Sequence, residues 1–158
     1  KYHEALMLFS KLNEKYELNP RFHAYMGLCY YKEWDYKSAV TEFTQSLPQL
    51  KRLYPHELSV YYNALAESRF NLAEYEEAIS AYEKVITLCH PNERAECLYR
   101  IGLCYIELKQ WTNATEALTS ALAYYEKYLD TPMFNARITQ IRNMIKGCKS
   151  KAKDSTKH

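Results

Sequence analysis

The chain has 158 residues, a formal net charge of +2, 47% hydrophobic and 25% charged residues. That is one domain's worth of chain, apolar enough for a packed core and outside the composition of disordered segments. Three glycines and five prolines are too few for the tight turns of a β-sandwich or barrel and leave no glycine-rich phosphate loop, and +2 is too small for a basic nucleic-acid face covering the whole domain.

In chain order, Tyr2 to Tyr16 comes first, with Ala5, Leu6, Leu8, Phe9 and Leu12 at helical spacing. Residues 1–17 are read as the second helix of a hairpin whose first helix is missing. Complete helical hairpins are then expected at about 21–50, 56–89 and 94–129. Pro48 removes a helical N–H, so the second helix of the first hairpin bends or stops there. Pro55 and Pro91 suit the first turns of the helices that follow, Pro91 with Glu93 in the same turn. Thr131-Pro132 reads as an N-cap and first position of a last helix over 132–147, with Met133, Phe134, Ile138, Ile141 and Ile145 on one side and Gly147 ending it. The helical repeat domain is thus expected over residues 1–149, with residues 148–158 a basic flexible tail.

The hairpins follow from a repeated pattern. An aromatic residue, then alanine three positions on, then a large apolar residue four further occurs as Tyr2-Ala5-Phe9, Tyr36-Ala39-Phe43, Tyr75-Ala78-Tyr82 and Trp111-Ala114-Leu118. A large-small pair precedes the last three: Met26-Gly27, Leu65-Ala66 and Ile101-Gly102, the small residue always 12 before its alanine. Such constancy predicts two amphipathic helices per unit that cross at a small residue, Gly27 against Ala39, Ala66 against Ala78 and Gly102 against Ala114. One hairpin cannot bury its apolar face alone, so the units stack.

The spacing and residue types resemble the tetratricopeptide repeat, with its W-x2-L-G-x2-Y…A-x3-F…P pattern and a period near 34 residues. Met26-Gly27-Leu28-Cys29-Tyr30 and Ile101-Gly102-Leu103-Cys104-Tyr105 carry the central part of it. His23, Tyr62 and Leu98 replace the leading tryptophan, and Arg69 stands where the motif has tyrosine. The resemblance covers roughly residues 1 to 129. It implies an all-α, right-handed superhelical solenoid of antiparallel helix hairpins: three complete hairpins, an N-terminal single helix and a C-terminal capping helix.

Chemistry-bearing clusters are sparse. Cys29, Cys89, Cys97, Cys104 and Cys148 are odd in number and form no CxxC pair, which reads as reduced thiols in a cytoplasmic protein. Cys89-His90 followed by Cys97 falls short of paired zinc-ligand dipeptides, so no metal and no cofactor are expected. No nucleophile–base or paired-carboxylate arrangement argues for an enzyme. No run of 18 apolar residues argues for a membrane span. The 16 tyrosines invite base stacking, yet Tyr30, Tyr36, Tyr75, Tyr82 and Tyr105 fall at packing positions, and no nucleic-acid partner is expected.

What remains is a protein-interaction surface. The resemblance implies that the first helices of successive units line a concave groove. That groove would hold Arg21, Tyr25, Leu28 and Lys32, then Asn63, Glu67 and Asn71, then Tyr99, Arg100 and Leu103, binding a peptide or helix of a protein partner. Some family members clamp the acidic C-terminus of heat-shock chaperones. Here Ala24, Leu28, Ala64 and Glu96 occupy positions that need lysine or asparagine, and only Arg100 matches, so that clamp is absent. A chaperone for secreted proteins of the same repeat class, or a regulatory domain of a larger enzyme, are the alternatives. Self-association is expected through the exposed apolar side of the N-terminal helix.

Overall fold

In the computed structural model, which describes residues 1–129 and 131–157, the chain is all-helical. Asp130 and His158, the last residue of the expected tail, lie outside the described residues. The helices are α1 (Tyr2–Lys15), α2 (Pro20–Lys32), α3 (Tyr36–Ser46), α4 (Pro55–Asn71), α5 (Tyr75–Leu88), α6 (Pro91–Glu107), α7 (Trp111–Tyr128) and α8 (Asn135–Ser155). Short 3-10 turns at Leu47–Gln49 and Pro132–Phe134 follow α3 and precede α8. The expected hairpins are therefore α2/α3, α4/α5 and α6/α7. The chain divides into two compact units, Lys1–Lys84 and Val85–His158.

Local rules set the helix starts. Pro20, Pro55 and Pro91 each occupy the first helical position, where a missing N–H costs nothing. The Asn19 side chain accepts from the Arg21 and Phe22 amides at 2.9 and 3.4 Å. Asp35 caps α3 by accepting from the Ser38 amide at 3.2 Å. The His90 amide donates to the Glu93 carboxylate at 2.9 Å, half of a capping box.

The three hairpin turns share one backbone device. Trp34, Ala73 and Lys109 all have left-handed backbones, with φ of 63°, 59° and 58°. Each stands two residues before its turn aromatic, so the device keeps the repeat register. The next amide in each turn reaches back five residues: Asp35 to Tyr30 O, Glu74 to Arg69 O and Gln110 to Tyr105 O, all at 2.9 Å. This is the Schellman closure of a helix C-terminus, made here without glycine.

The small residues do their work somewhat differently from the crossing expected. A Cβ added to Gly27 would lie 2.9 Å from the Phe43 ring, and one added to Gly102 would lie 2.6 Å from Leu118. The glycines thus make room for the large apolar residue four positions after the paired alanine. Phe43 and Leu118 fill their own hairpins, and the Phe43 ring also meets Tyr61 of α4, centroids 6.3 Å apart. Phe43, Tyr82 and Leu118 are completely buried, as are Ala39, Ala66, Ala78 and Ala114.

In the first unit, Leu6, Met26 and Cys29 form a core cluster flanked by Ala5, Phe9, Leu18 and Tyr30. His23, at the family's tryptophan position, pairs its Nδ1 with Glu42 Oε2 of α3 at 2.8 Å. Arg69, at the tyrosine position, reaches Glu74 across the α4/α5 turn at 2.6 Å. Both departures from the pattern therefore place a polar side-chain contact, a hydrogen bond from one and a salt bridge from the other, inside the same hairpin.

In the second unit, α6, α7 and α8 share a core of Ala95, Tyr99, Leu118, Tyr125, Ile138 and Ile141 with their neighbours. Here the expected end of the last helix is corrected. The 3-10 turn takes up Pro132–Phe134, and α8 begins at Asn135, passes through Gly147 and runs to Ser155. Cys148 is buried and extends the Ile138, Ile141, Ile145 stripe by another step, so packing carries the helix past the glycine and turns most of the expected tail into helix.

Candidate functional site: apolar hollow and polar stripe

Seven of the ten residues expected in a groove lie in the first unit and three in the second. In the first unit, Arg21 and Tyr25 come together with Phe9, Phe22, Glu57 and Tyr61 around a hollow of about 620 Å³. Three helices build it. α1 gives Phe9, α2 gives Arg21, Phe22 and Tyr25 one turn apart, and α4 gives Glu57 and Tyr61 at i, i+4. Phe9 stacks at a tilt on Phe22, centroids 5.8 Å apart, and meets Tyr25 edge-on at 5.6 Å. Phe22 and Tyr25 remain 44% and 41% exposed, which is unusual for rings already partnered and leaves their outer faces open.

The rim of this hollow is charged and ordered. Arg21 meets Glu57 in two parallel bonds, Nε to Oε1 at 3.0 Å and Nη2 to Oε2 at 3.2 Å, tying the starts of α2 and α4 together. The Tyr61 hydroxyl donates to Glu57 Oε1 at 3.4 Å. Burial, then the neighbouring Glu57 charge, pushes the Tyr61 phenol above the ordinary tyrosine range. Phe9, Phe22, Glu57 and Tyr61 escaped sequence reasoning. Glu57 and Tyr61 lie on a helix turned toward α2, and an aromatic pattern that recurs in every unit gave no signal that these particular rings would stay open.

The other first-unit positions behave differently. Asn63, Glu67 and Asn71 succeed one another at i, i+4 and i+8 along α4, with Asn63 and Asn71 exposed. Glu67 accepts the buried Tyr82 hydroxyl, and the Asn71 amide donates to the Glu67 carbonyl at 2.7 Å, so two of these three polar groups already serve the fold. Leu28 is half-buried, and Lys32 lies over the Tyr31 ring at 5.4 Å.

In the second unit, Tyr99 is only 6% exposed, because the Arg137 guanidinium of α8 covers its ring at 4.0 Å. Arg137 also donates to Glu96 Oε2 at 3.0 Å. The same oxygen accepts from Tyr125 at 2.6 Å, while Arg100 donates to Glu96 Oε1 at 3.3 Å. Leu103 is half-buried against the α6/α7/α8 core. The three expected anchors of this unit thus serve the seat of α8. The Glu96 carboxylate that a chaperone clamp would need as a lysine is the centre of that seat.

Among the described residues, no group of three or more His, Cys, Asp or Glu is placed to hold a metal ion. No described helix is long and apolar enough to cross a membrane. Cys29, Cys97, Cys104 and Cys148 are buried, and Cys89 is half-buried. Burial raises the Cys29, Cys89 and Cys148 thiols above their ordinary range, which keeps them protonated and unreactive.

Antiparallel helix hairpins closed by the same turn, with a small residue facing a large one at constant register, define a helical-repeat protein. Two stretches match family profiles described as Tetratricopeptide repeat, residues 59–89 and residues 96–128. Over those two stretches the chain is built of tetratricopeptide repeats.

Solved structures share the fold at low identity. MamA (residues 41 to the end) from Desulfovibrio magneticus is 19% identical with a TM-score of 0.69, the match covering 99% of this chain and 82% of that one. The type III secretion translocator chaperone SycD of Yersinia enterocolitica is 19% identical with a TM-score of 0.64, covering 91% and 88%. The TPR2B domain of yeast Sti1, solved as a complex with pHsp70, is 19% identical with a TM-score of 0.61, covering 83% and 96%. No curated protein matches the chain in sequence.

Proposed function

We propose that this chain is a non-catalytic protein-interaction module, and that the α1/α2/α4 hollow of its first unit receives an apolar side of a partner's helix or peptide. The observation that carries this reading is the open aromatic lining. Phe9, Phe22 and Tyr25 touch one another yet leave the outer faces of Phe22 and Tyr25 to solvent, around a space that accommodates several side chains. Rigid aromatic faces with an ordered Arg–Glu rim are what interface anchor pockets are made of. The apolar residues of α1 extend the surface: Met7 is 50% and Leu8 61% exposed. Asn63, on α4, adds an exposed amide that can both donate to and accept from a partner's backbone.

A photo-crosslinking residue placed at position 25 tests this. Adduct formation with a partner segment from position 25, and none from Thr41 on the exposed side of α3, supports the hollow. Crosslinks from position 41 alone remove it. The same exposed side of α1 supports self-association, which sedimentation of the parent beside Leu8→Lys measures. A lower sedimentation coefficient for the variant at high concentration is expected.

A further inference from the structure

The last helix carries a line of charge that the fold uses only at its first residue. α8 buries Ile138, Ile141, Ile145 and Cys148. On a neighbouring side it stacks Arg142, Lys146, Lys149 and Lys153, at i, i+4, i+7 and i+11. At 1.5 Å per residue the four span about 16 Å. Arg142 is spent on Glu126 of α7 at 2.6 Å, and Lys151, off this line, lies over the Trp111 ring at 4.7 Å. Lys146, Lys149 and Lys153 are exposed and make no ion pair among the described residues. No acidic residue stands three or four positions from any of them, so at the spacings where helical side chains meet each has only like-charged or neutral neighbours, and Asp154, next to Lys153, lies off the line. Like charges at these spacings destabilise a helix.

We propose that the Lys146–Lys149–Lys153 line is a second docking surface, and that its occupant is an acidic helix of a partner protein with carboxylates at matching i, i+3, i+7 spacing. Charge complementarity sets the sign, and the helical frame sets the spacing. Cys148 is buried between Lys146 and Lys149, so the lysines are held in line rather than swinging on a tail. Other polyanions fit less well. The line has no aromatic side chain for bases to stack on. The apolar side of α8 is already buried and cannot enter a lipid surface. Carboxylates of a rigid helix gain most from a rigid row of ammonium groups, because neither side gives up much conformational freedom.

The test uses the whole chain and synthetic helical peptides. One carries glutamates at i, i+3, i+7 on one face, and a second has the same composition with the glutamates scattered round the helix. Binding of the patterned peptide about tenfold tighter than the scattered one is expected, weakening with salt. Lys146→Gln/Lys149→Gln/Lys153→Gln should lose that preference and keep the parent's circular dichroism, while Lys51→Gln, a loop lysine, leaves it unchanged. Equal affinity for the two peptides, or an unaffected triple variant, overturns the proposal. So does tighter binding to a single-stranded RNA oligonucleotide or to phosphatidylserine vesicles than to the patterned peptide.

Discussion

The Tyr125 hydroxyl donates to Glu96 Oε2 at 2.6 Å, joining α7 to α6 through a phenol that is 2% exposed. Burial first, then the bond to Glu96 and its charge, holds this phenol protonated well above the ordinary tyrosine range. A proton held more tightly in the folded than in the unfolded chain stabilises the fold below the unfolded value, about 10, and that contribution is lost as pH rises toward the folded value. Unfolding free energy should therefore fall with pH above about 10. Tyr125→Phe should flatten that fall while costing about 1.5 kcal/mol at neutral pH, at the low end for a bond to a charged group because Glu96 is half-exposed. Urea melts of parent and variant at pH 7 and pH 10.5 measure both effects. An identical slope in the variant would place the alkaline sensitivity elsewhere, on Tyr61 or Tyr30, whose phenols are also raised by burial.

Gly102 and Gly147 both sit inside helices and should respond to alanine in opposite directions. A Cβ at Gly102 meets Leu118 at 2.6 Å, and the Leu118 side chain is completely buried and cannot give way. Gly102→Ala should cost about 1–3 kcal/mol. A Cβ at Gly147 meets nothing within 4 Å, so Gly147→Ala gains helix propensity and should stabilise by about 0.5–1 kcal/mol. Thermal melts of the two variants decide. Gly102→Ala with Leu118→Ala should be less destabilised than the sum of the singles, because the second change empties the space the first needs.

The three left-handed residues at the hairpin turns invite the reverse substitution. Ala73 holds φ of 59° and is exposed, so its methyl group contributes strain and no packing. Ala73→Gly should raise stability by about 0.5–1 kcal/mol, read as a higher denaturation midpoint with an unchanged slope. A lowered midpoint would mean that unfolded-chain entropy outweighs the strain at this turn.

Local pattern accounts for what the sequence disclosed. Helix pairs, their turns and their proline starts are written in residues a few positions apart, so the α2/α3, α4/α5 and α6/α7 hairpins were legible. The extent of α8 was misread because Gly147 and a run of lysines look like a stop and a tail. The signal that runs against this is Cys148, three residues after Ile145 and in phase with Ile138 and Ile141. The seat of Tyr99 was not legible at all. Its cover, Arg137, is 38 positions away, and no periodicity links the two. The rim pair of the hollow was hidden for the same reason, Arg21 and Glu57 being 36 apart.

The rings of that hollow should outweigh the polar stripe beside it. Tyr25 presents a rigid face of two torsions, so a partner gains buried area there at small entropic cost. Its removal takes away both that face and the edge contact that positions Phe9. Tyr25→Ala should weaken a crosslinked partner segment by about 2 kcal/mol or more, the range of interface anchors. Asn63→Ala removes an exposed amide and should cost about 0.5–1.5 kcal/mol, one hydrogen bond's net worth. Arg21→Ala leaves Glu57 without its two-bond partner and should lower stability as well as binding, so it needs a melt beside every titration. Calorimetric titration of the crosslinked segment, resynthesised as a peptide, against parent, Tyr25→Ala, Asn63→Ala and Thr41→Arg proteins gives the ranking. If Tyr25→Ala melts like the parent and binds normally while Thr41→Arg does not bind, the partner sits on α3 and the hollow is not its site.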